Sequence, residues 1–349
     1  MFNQFNGTPK QIGIEYGKAF APEIVNNLKA LVLAQSSDAL PSSDAGFKAW
    51  VQRQEKLIEA NWPWLLEEME GVAEGVAVKY EDILLLNLRA WQYNYYGAEP
   101  SGGCSSLVVT LADGTVACAG ALDDPAQFYC GPVKFTPDTG YALLSFPITG
   151  TSWGNRGMNR AGLVASISSQ ILPGLIRLPN AVNQDLALRA ILQTCATINE
   201  VRQFCHRHPF IMNLICVDAK GGIFCGQHTS AGLLELPVAE GFCALTNHVV
   251  DDGFRYWLAQ RGVKEFPESA TTRLRRGRLL SFARERNGKC VAEEVRRFIF
   301  HRDDGDLGTI HNKGTIYMTF SNPQAARNTC WVSGGGECAN ADGFEAMTV

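Results

Sequence analysis

Ser101-Gly102-Gly103-Cys104-Ser105-Ser106-Leu107-Val108-Val109-Thr110 is the stretch on which the reading of this chain turns. Two glycines bring a pliant backbone to a cysteine, two small hydroxyl residues follow, and the chain then becomes apolar and β-branched. A thiol at the head of a buried strand, with glycine before it, suits a nucleophile that attacks its own preceding carbonyl. Gly103 has no Cβ, so that carbonyl is open and a strained peptide costs little. The Gly103–Cys104 bond therefore reads as a self-cleavage junction and Cys104 as the nucleophile. The competing reading is a structural cysteine at a loop-to-strand turn. Free cysteine is mostly a small buried hydrophobe, and the chain has 11 of them.

Outward from this point the pattern is two-sided. Downstream, Ser105–Leu111 reads as a strand, Ala112-Asp113-Gly114-Thr115 as a hairpin turn and Val116–Leu122 as the returning strand. Upstream, residues 7 to about 98 read mostly as helix, with Ile12, Tyr16, Phe20 and Ile24, then Leu65, Leu66, Met69, Val72 and Val76, on apolar faces. The aromatic run Trp91, Tyr93, Tyr95 and Tyr96 reads as core packing or as a pocket wall. Beyond the first hairpin, Tyr141–Ile148 and Leu163–Ser168 read as strands around the turn 157–162. Asp185–His206 reads as helix, Met212–Val217 with Ile223–Gln227 as a second hairpin, and Gly241–Thr246 as a short strand. Helices over Thr271–Arg286 and Val291–Phe300, then strands over Gly314–Phe320 and Asn328–Ser333, complete the chain. Helices and hairpins in this order suit antiparallel sheets covered by helices, an α+β class rather than βαβ units.

Composition narrows the function. Of 349 residues, 46% are hydrophobic and 19% charged, which is ordinary globular usage with length for a large core. The net charge is −4 and the only notable basic run is Arg273–Arg278, so no nucleic-acid partner is expected. No apolar run approaches a membrane span, and Met1–Gly7 shows no leader pattern. The cysteines lack CxxC pairs, so neither a zinc site nor a disulfide framework is read; metal is none, and a reduced, cytoplasmic setting is expected.

A catalytic thiol needs a base. None of the six histidines sits in a papain-like local setting. The amine released when the Gly103–Cys104 bond breaks is an alternative, since an α-amino group titrates at about 7.7–8.0. Asn247, at the end of the strand in Leu245-Thr246-Asn247-His248, reads as an amide donor for an oxyanion or as a strand-end turn residue. Asp124, after the returning strand, would be folded back beside Cys104, or be a turn residue before Pro125.

At these residues the chain resembles the acyl-coenzyme A:6-aminopenicillanic acid acyltransferase family (peptidase family C45) of N-terminal-nucleophile hydrolases. Gly7-Thr8-Pro9 with Ile12-Gly13 and Tyr16-Gly17 looks like the family's opening, and 70–75 and 86–89 like its helical middle. Gly103-Cys104-Ser105-Ser106 matches the cleavage motif. Gly157-Met158-Asn159-Arg160-Ala161-Gly162-Leu163 and Thr246-Asn247-His248 are further matches. Gly120-Ala121-Leu122-Asp123-Asp124 lies where members commonly read Gly-Gln/Arg-Asn-x-Asp, so polar side chains are lost there. The resemblance implies a four-layer αββα sandwich of antiparallel sheets with an N-terminal helical segment. It implies a zymogen processed into 1–103 (helical pro-segment, α chain) and 104–349 (catalytic β chain), which stay associated as one domain unit. It implies Cys104 as nucleophile with its freed amine as base, Asp124 (in preference to Asp123) orienting that amine, and Asn247 in the oxyanion hole. Trp91, Tyr96, Trp153, Ser168 and Arg327 are pocket candidates; Arg327 also reads as a surface arginine.

The expected function is an autoproteolytic cysteine amidohydrolase or acyltransferase working through a thioester on Cys104, on a small N-acyl or amide substrate. No cofactor is expected, with acyl-CoA open as a co-substrate and a homo-oligomer left open. Two other readings stand beside it: a conventional Cys–His peptidase using His248, and a catalytically silent scaffold acting as a binding protein.

Overall fold

The computed structural model describes residues 3–33, 45–88, 103–123, 128–170, 181–229, 232–238, 240–260, 269–301, 310–311, 315–325, 327–332 and 345–348. The described residues begin with a strand, β1 (Asn3–Gly7), followed by helices α1 (Pro9–Ala19), α2 (Ala21–Leu33), α3 (Ala45–Asn61), α4 (Pro63–Val76) and α5 (Tyr80–Asn87). The first hairpin is β2 (Cys104–Thr110) and β3 (Val116–Asp123); β4 (Val133–Pro137), β5 (Leu143–Pro147), β6 (Gly154–Asn159) and β7 (Val164–Ser168) come next. Helices α6 (Gln184–Thr194) and α7 (Ile198–Arg207) precede β8 (Met212–Val217), β9 (Ile223–Thr229), β10 (Gly232–Glu235) and β11 (Cys243–Leu245). The last elements are α8 (Asp252–Ala259), α9 (Ser269–Arg286), α10 (Ala292–Phe300), β12 (Thr315–Asn322), β13 (Arg327–Val332) and β14 (Glu345–Thr348).

The strands form two sheets, ordered β1-β4-β5-β6-β7-β8-β9-β10 and β11-β2-β3-β12-β13-β14. Their facing surfaces meet through Val108 and Cys118 on one side and Met158, Val164, Ile215 and Val217 on the other. On the outer face of the larger sheet, Ile12, Tyr16, Met69, Leu186 and Ile191 of the helices pack with Phe135, Leu143 and Ile167. On the smaller sheet, Leu279 and Ala283 of α9 and Val295 and Ile299 of α10 cover Leu107, Val109, Ala119 and Met318. This is the expected αββα sandwich. Both faces of β2 and β3 are buried, so their apolar runs lack the alternation of a half-exposed strand.

Three departures from the sequence reading have physical causes. The N-terminal segment, read as helical, also supplies β1, which pairs parallel with β4; the other strand pairs among the described residues are antiparallel. Gly154–Asn159, read partly as a turn, is strand β6. Its glycines are weak strand formers, but a Cβ on Gly157 would lie 2.6 Å from Leu144 O and 2.7 Å from Leu192 Cδ1, so helix α6 approaches the bare backbone. The helix read over Asp185–His206 is two helices. Thr197 caps the second with a reciprocal capping box to Glu200, a signal present in the sequence.

Helices α1 and α4 cross at backbone contact. A Cβ on Gly13 would sit 2.1 Å from Glu68 O, and one on Gly71 2.3 Å from Lys10 O. Gly71→Ala is therefore expected to lower stability by about 3 kcal/mol, as overpacking against backbone does. A drop in the urea midpoint, with the slope of the transition unchanged, is the expected result.

Candidate active site

The hairpin turn sets the register that builds the site. Asp113 Oδ1 accepts from Thr115 N (2.9 Å) and Thr115 Oγ1 (2.7 Å), and Gly114 takes φ +81. That turn pairs Cys104 with Leu122. The ladder then runs one residue past the strand head: Gly103 N donates to Asp123 O (3.1 Å) and Asp123 N donates to Gly103 O (2.6 Å). The carbonyl that the thiol would attack is thus already held by an N–H.

The backbone of Cys104 is gripped on its other side from the segment that follows β11 and from α9. Its N–H donates to Asn247 Oδ1 (2.8 Å). Its carbonyl accepts from Arg275 Nη1 (2.6 Å), which also donates to Ser105 Oγ (2.7 Å). Arg275 Nη2 donates to Asn247 Oδ1 (3.0 Å), and Asn247 Nδ2 donates to Ser169 O (2.9 Å). A cation on one side and a carbonyl on the other leave the Asn247 amide one orientation. Thr272, in the first turn of α9, ties the two elements: its hydroxyl accepts from Asn247 N (2.8 Å), and its carbonyl accepts from Thr246 Oγ1 (2.9 Å). One turn on, Arg275 is carried to the thiol's strand. Gly103 is glycine for closeness: a Cβ there would lie 2.6 Å from Arg275 Nη2 and 3.3 Å from Asn247 Oδ1. It has no positive φ, so the expected backbone strain is not of the left-handed kind.

Cys104 is buried beside Leu122, Leu144, Phe146 and Tyr317. Burial pushes its thiol above the usual value; the Arg156 charge pulls it down, Asp123 pushes it up, and Arg275 and the Ser169 backbone pull it down. Asp123 is buried, and its Oδ1 accepts from Thr315 Oγ1 (2.6 Å). Its charge helps hold the proton on Arg275, against the burial that weakens it.

The expected site residues divide as follows. Cys104, Gly103 and Asn247 come together. Ser168 is buried on β7, next to the Ser169 that Asn247 bonds. Asp124, Trp91 and Tyr96 lie outside the described residues. Trp153 is a core residue rather than a pocket wall: it is 1% exposed, packs with the helices on the outer face, and its indole donates to Asn87 O (2.9 Å). Arg327 is at the wrong end of its sheet. It pairs with Asn322, five residues from the Tyr317 that pairs with Leu122, or roughly 17 Å at strand rise. Arg275 takes the place expected of Arg327. Its signal lay in the basic run, where Thr272, Arg275, Arg276 and Leu279 share a helical face.

His248 is not built as a base for the thiol. Its Nδ1 is taken up by the hydroxyls of Thr272 (3.1 Å) and Thr246 (3.2 Å). Burial, with the charges of Arg276, Arg273, Arg255 and Arg275, pushes its pKa down to about 3, far from a working base. The unfolded chain protonates this ring below about 6.5 and the folded chain does not, so its contribution to stability is full above that pH and is lost as pH falls toward 3. His248→Gln is expected to lessen the fall in urea midpoint between about pH 7 and 5 while cleavage after Gly103 persists. Loss of cleavage in this variant would place the ring in the chemistry.

Among the described residues no cluster of His, Cys, Asp and Glu is arranged to hold a metal, and no helix is long and apolar enough to cross a membrane.

A family model described as acyl-coenzyme A:6-aminopenicillanic acid acyl-transferase matches residues 127–296, which include Arg156, Asn247 and Arg275 but not Cys104. The 40 kDa form of acyl-coenzyme A:6-aminopenicillanic-acid-acyltransferase from Emericella nidulans is 24% identical over 201 residues, 54% of this chain and 52% of that protein. The chain thus spans about half the length of this curated relative. Among solved structures, a variant of conjugated bile acid hydrolase from Clostridium perfringens aligns at TM-score 0.45 and 13% identity, over 70% of this chain and 96% of that one. A Caenorhabditis elegans ortholog of N-acylethanolamine-hydrolyzing acid amidase aligns at TM-score 0.45 and 16% identity, over 63% and 93% respectively.

Proposed function

From this chain's kinship with the acyl-coenzyme A:6-aminopenicillanic acid acyl-transferase family, we propose that it is a self-processing amide hydrolase or acyltransferase with Cys104 as nucleophile. The observation that carries the reading is the grip on Cys104. Its N–H is held by Asn247, its carbonyl by Arg275, and the preceding carbonyl by Asp123 N.

The first reaction is internal. Cys104 Sγ adds to the Gly103 carbonyl carbon, and Asp123 N–H stabilises the oxygen as charge gathers on it. The C–N bond breaks, the thiol's proton goes to the departing nitrogen, and a thioester joins Gly103 to Cys104. Water hydrolyses that ester, leaving the Gly103 carboxylate, a free thiol and a free α-amine at Cys104.

The second reaction uses the same atoms. The amine, near its own pKa at neutral pH, takes the thiol proton as sulfur attacks the substrate's amide carbonyl. It returns the proton to the leaving amine, and the acyl group rests on Cys104 as a thioester. Water or an acceptor amine then takes it. Asn247 Nδ2 and the Ser169 backbone, beside the thiol, are the oxyanion donors. Asn247 Oδ1 keeps its bond to the Cys104 nitrogen and orients the lone pair. Asp123 is the site carboxylate in this assignment, since its backbone is bonded to Gly103 in both directions and its charge faces Arg275.

Small N-acyl or amide compounds are the substrate class, consistent with the names of the relatives. Intact mass spectrometry of the purified protein tests the reading: two chains split between Gly103 and Cys104 are expected. A single full-length chain that turns over amides at full rate would overturn it.

A further inference from the structure

Arg156 is the charged group at this site that the chemistry above leaves unused. It stands on β6 with its side chain between the sheets, on the face where Met158 packs, while Gly157 between them faces α6. It is 3% exposed. Nη2 donates to Ser105 O (2.7 Å) and Ser106 Oγ (3.1 Å), the two residues after the nucleophile. Among the described residues Nε and Nη1 are buried without a hydrogen-bond partner, and the Tyr317 hydroxyl, likewise unbonded, lies close to the guanidinium. Gly120 makes the approach feasible, since a Cβ there would lie 2.9 Å from both Nε and Nη2. The place is thus built for the guanidinium but does not satisfy it.

Charge makes the same point. Arg275 has Asp123 as a counter-charge, but no ion pair of Arg156 occurs among the described residues. Among the described residues, then, a positive charge beside Cys104, near Leu122, Leu144 and Phe146, has no counter-charge. A buried, unpaired guanidinium is costly, and an anion that binds it gains a charge-assisted hydrogen bond in a low-dielectric setting. The Ser168 hydroxyl, also buried without a partner, lies on β7, the strand that pairs with β6.

We propose that Arg156 anchors a carboxylate subsite next to Cys104, so that the substrate carries a carboxylate close to its scissile carbonyl. This inference rests on Cys104 being the nucleophile, as proposed above. The subsite binds the anion through Nη1 while Nη2 stays on Ser105 and Ser106.

Paired alkylation tests it without knowledge of the substrate. Iodoacetate and iodoacetamide each form a C–S bond with loss of iodide, and differ in a carboxylate against a neutral amide. Rates at Cys104 are read by peptide mass spectrometry. In the wild type the iodoacetate-to-iodoacetamide ratio is expected to exceed that of free cysteine by about tenfold or more. Arg156→Met should lose that excess and Arg156→Lys should keep most of it. A wild-type ratio equal to that of free cysteine overturns the subsite, and this needs no variant to fold. Equal slowing of both reagents in Arg156→Met also overturns it, by giving the cation to the thiolate alone. The thiol exists whether or not Gly103–Cys104 is cut. An uncut chain would therefore count against the proposed function while the ratio still decides the subsite.

Discussion

Cys104→Ala is expected to yield one uncut chain of 349 residues with no amide turnover, where the wild type is expected to yield residues 1–103 and 104–349. Loss of the nucleophile should cost on the order of 10⁴-fold or more in rate, as removal of a covalent catalyst does elsewhere. Folding should survive, because the thiol is a small buried group among Leu122, Leu144, Phe146 and Tyr317 and is in no disulfide. The variant separates two events that the wild type couples. Cys104→Ser keeps a hydroxyl at the same place and is expected to cut slowly, since a serine hydroxyl holds its proton more tightly than a thiol. A Cys104→Ala protein still cut between residues 103 and 104 would show that another group, or a contaminating protease, does the cutting.

Arg275→Met is the second large effect. The guanidinium is 5% exposed and holds Cys104 O, Ser105 Oγ and Asn247 Oδ1 together. Its loss leaves the Cys104 carbonyl without that donor and frees the Asn247 amide to turn. Self-cleavage and turnover are both expected to slow by about 10²–10³-fold, the usual cost of losing an electrostatic donor at a reacting centre. Stability should fall by about 2–3 kcal/mol, because a hydrogen bond to a buried charged group is lost and its acceptors are left unpaired. Arg275→Lys should recover part of the stability but little of the rate, because an ammonium cannot serve three acceptors in a plane. Arg275→Met that cuts at the wild-type rate, followed by intact mass spectrometry over time, would remove this residue from the machinery and leave it a purely structural tie between β2 and α9.

The two effects differ in how readable they were. The Cys104 role follows from neighbours in the chain: glycine before it, strand after it, and a turn that returns the next strand at a known register. Asn247 could be placed at a strand end, and its amide is the right chemistry for an oxyanion. Arg275 could not be assigned, because a basic run on a helix is normally solvated. Only the packing of α9 on the smaller sheet turns one of those arginines inward. Arg156 is the same case on a strand: its neighbours Gly154, Gly157 and Asn159 argue locally against a strand at all. Trp153 failed in the opposite sense, as an aromatic close in sequence to the site motifs that tertiary packing carries to the far face of the sheet.

What the sequence by itself determined about this protein is the local grammar. The hairpin through Asp113 and Gly114, the Thr197–Glu200 cap, and the thiol at the head of β2 all depend on residues a few positions apart. What only the tertiary structure decided is which distant groups meet that thiol. Asn247 reaches it from just past the end of β11, Arg275 from α9, and Arg156 from the opposite sheet. The physical reason is that side-chain periodicity says which face of an element a residue takes. It does not say which other element that face will meet, and that is settled by how two sheets and two helix layers bury their apolar surfaces together.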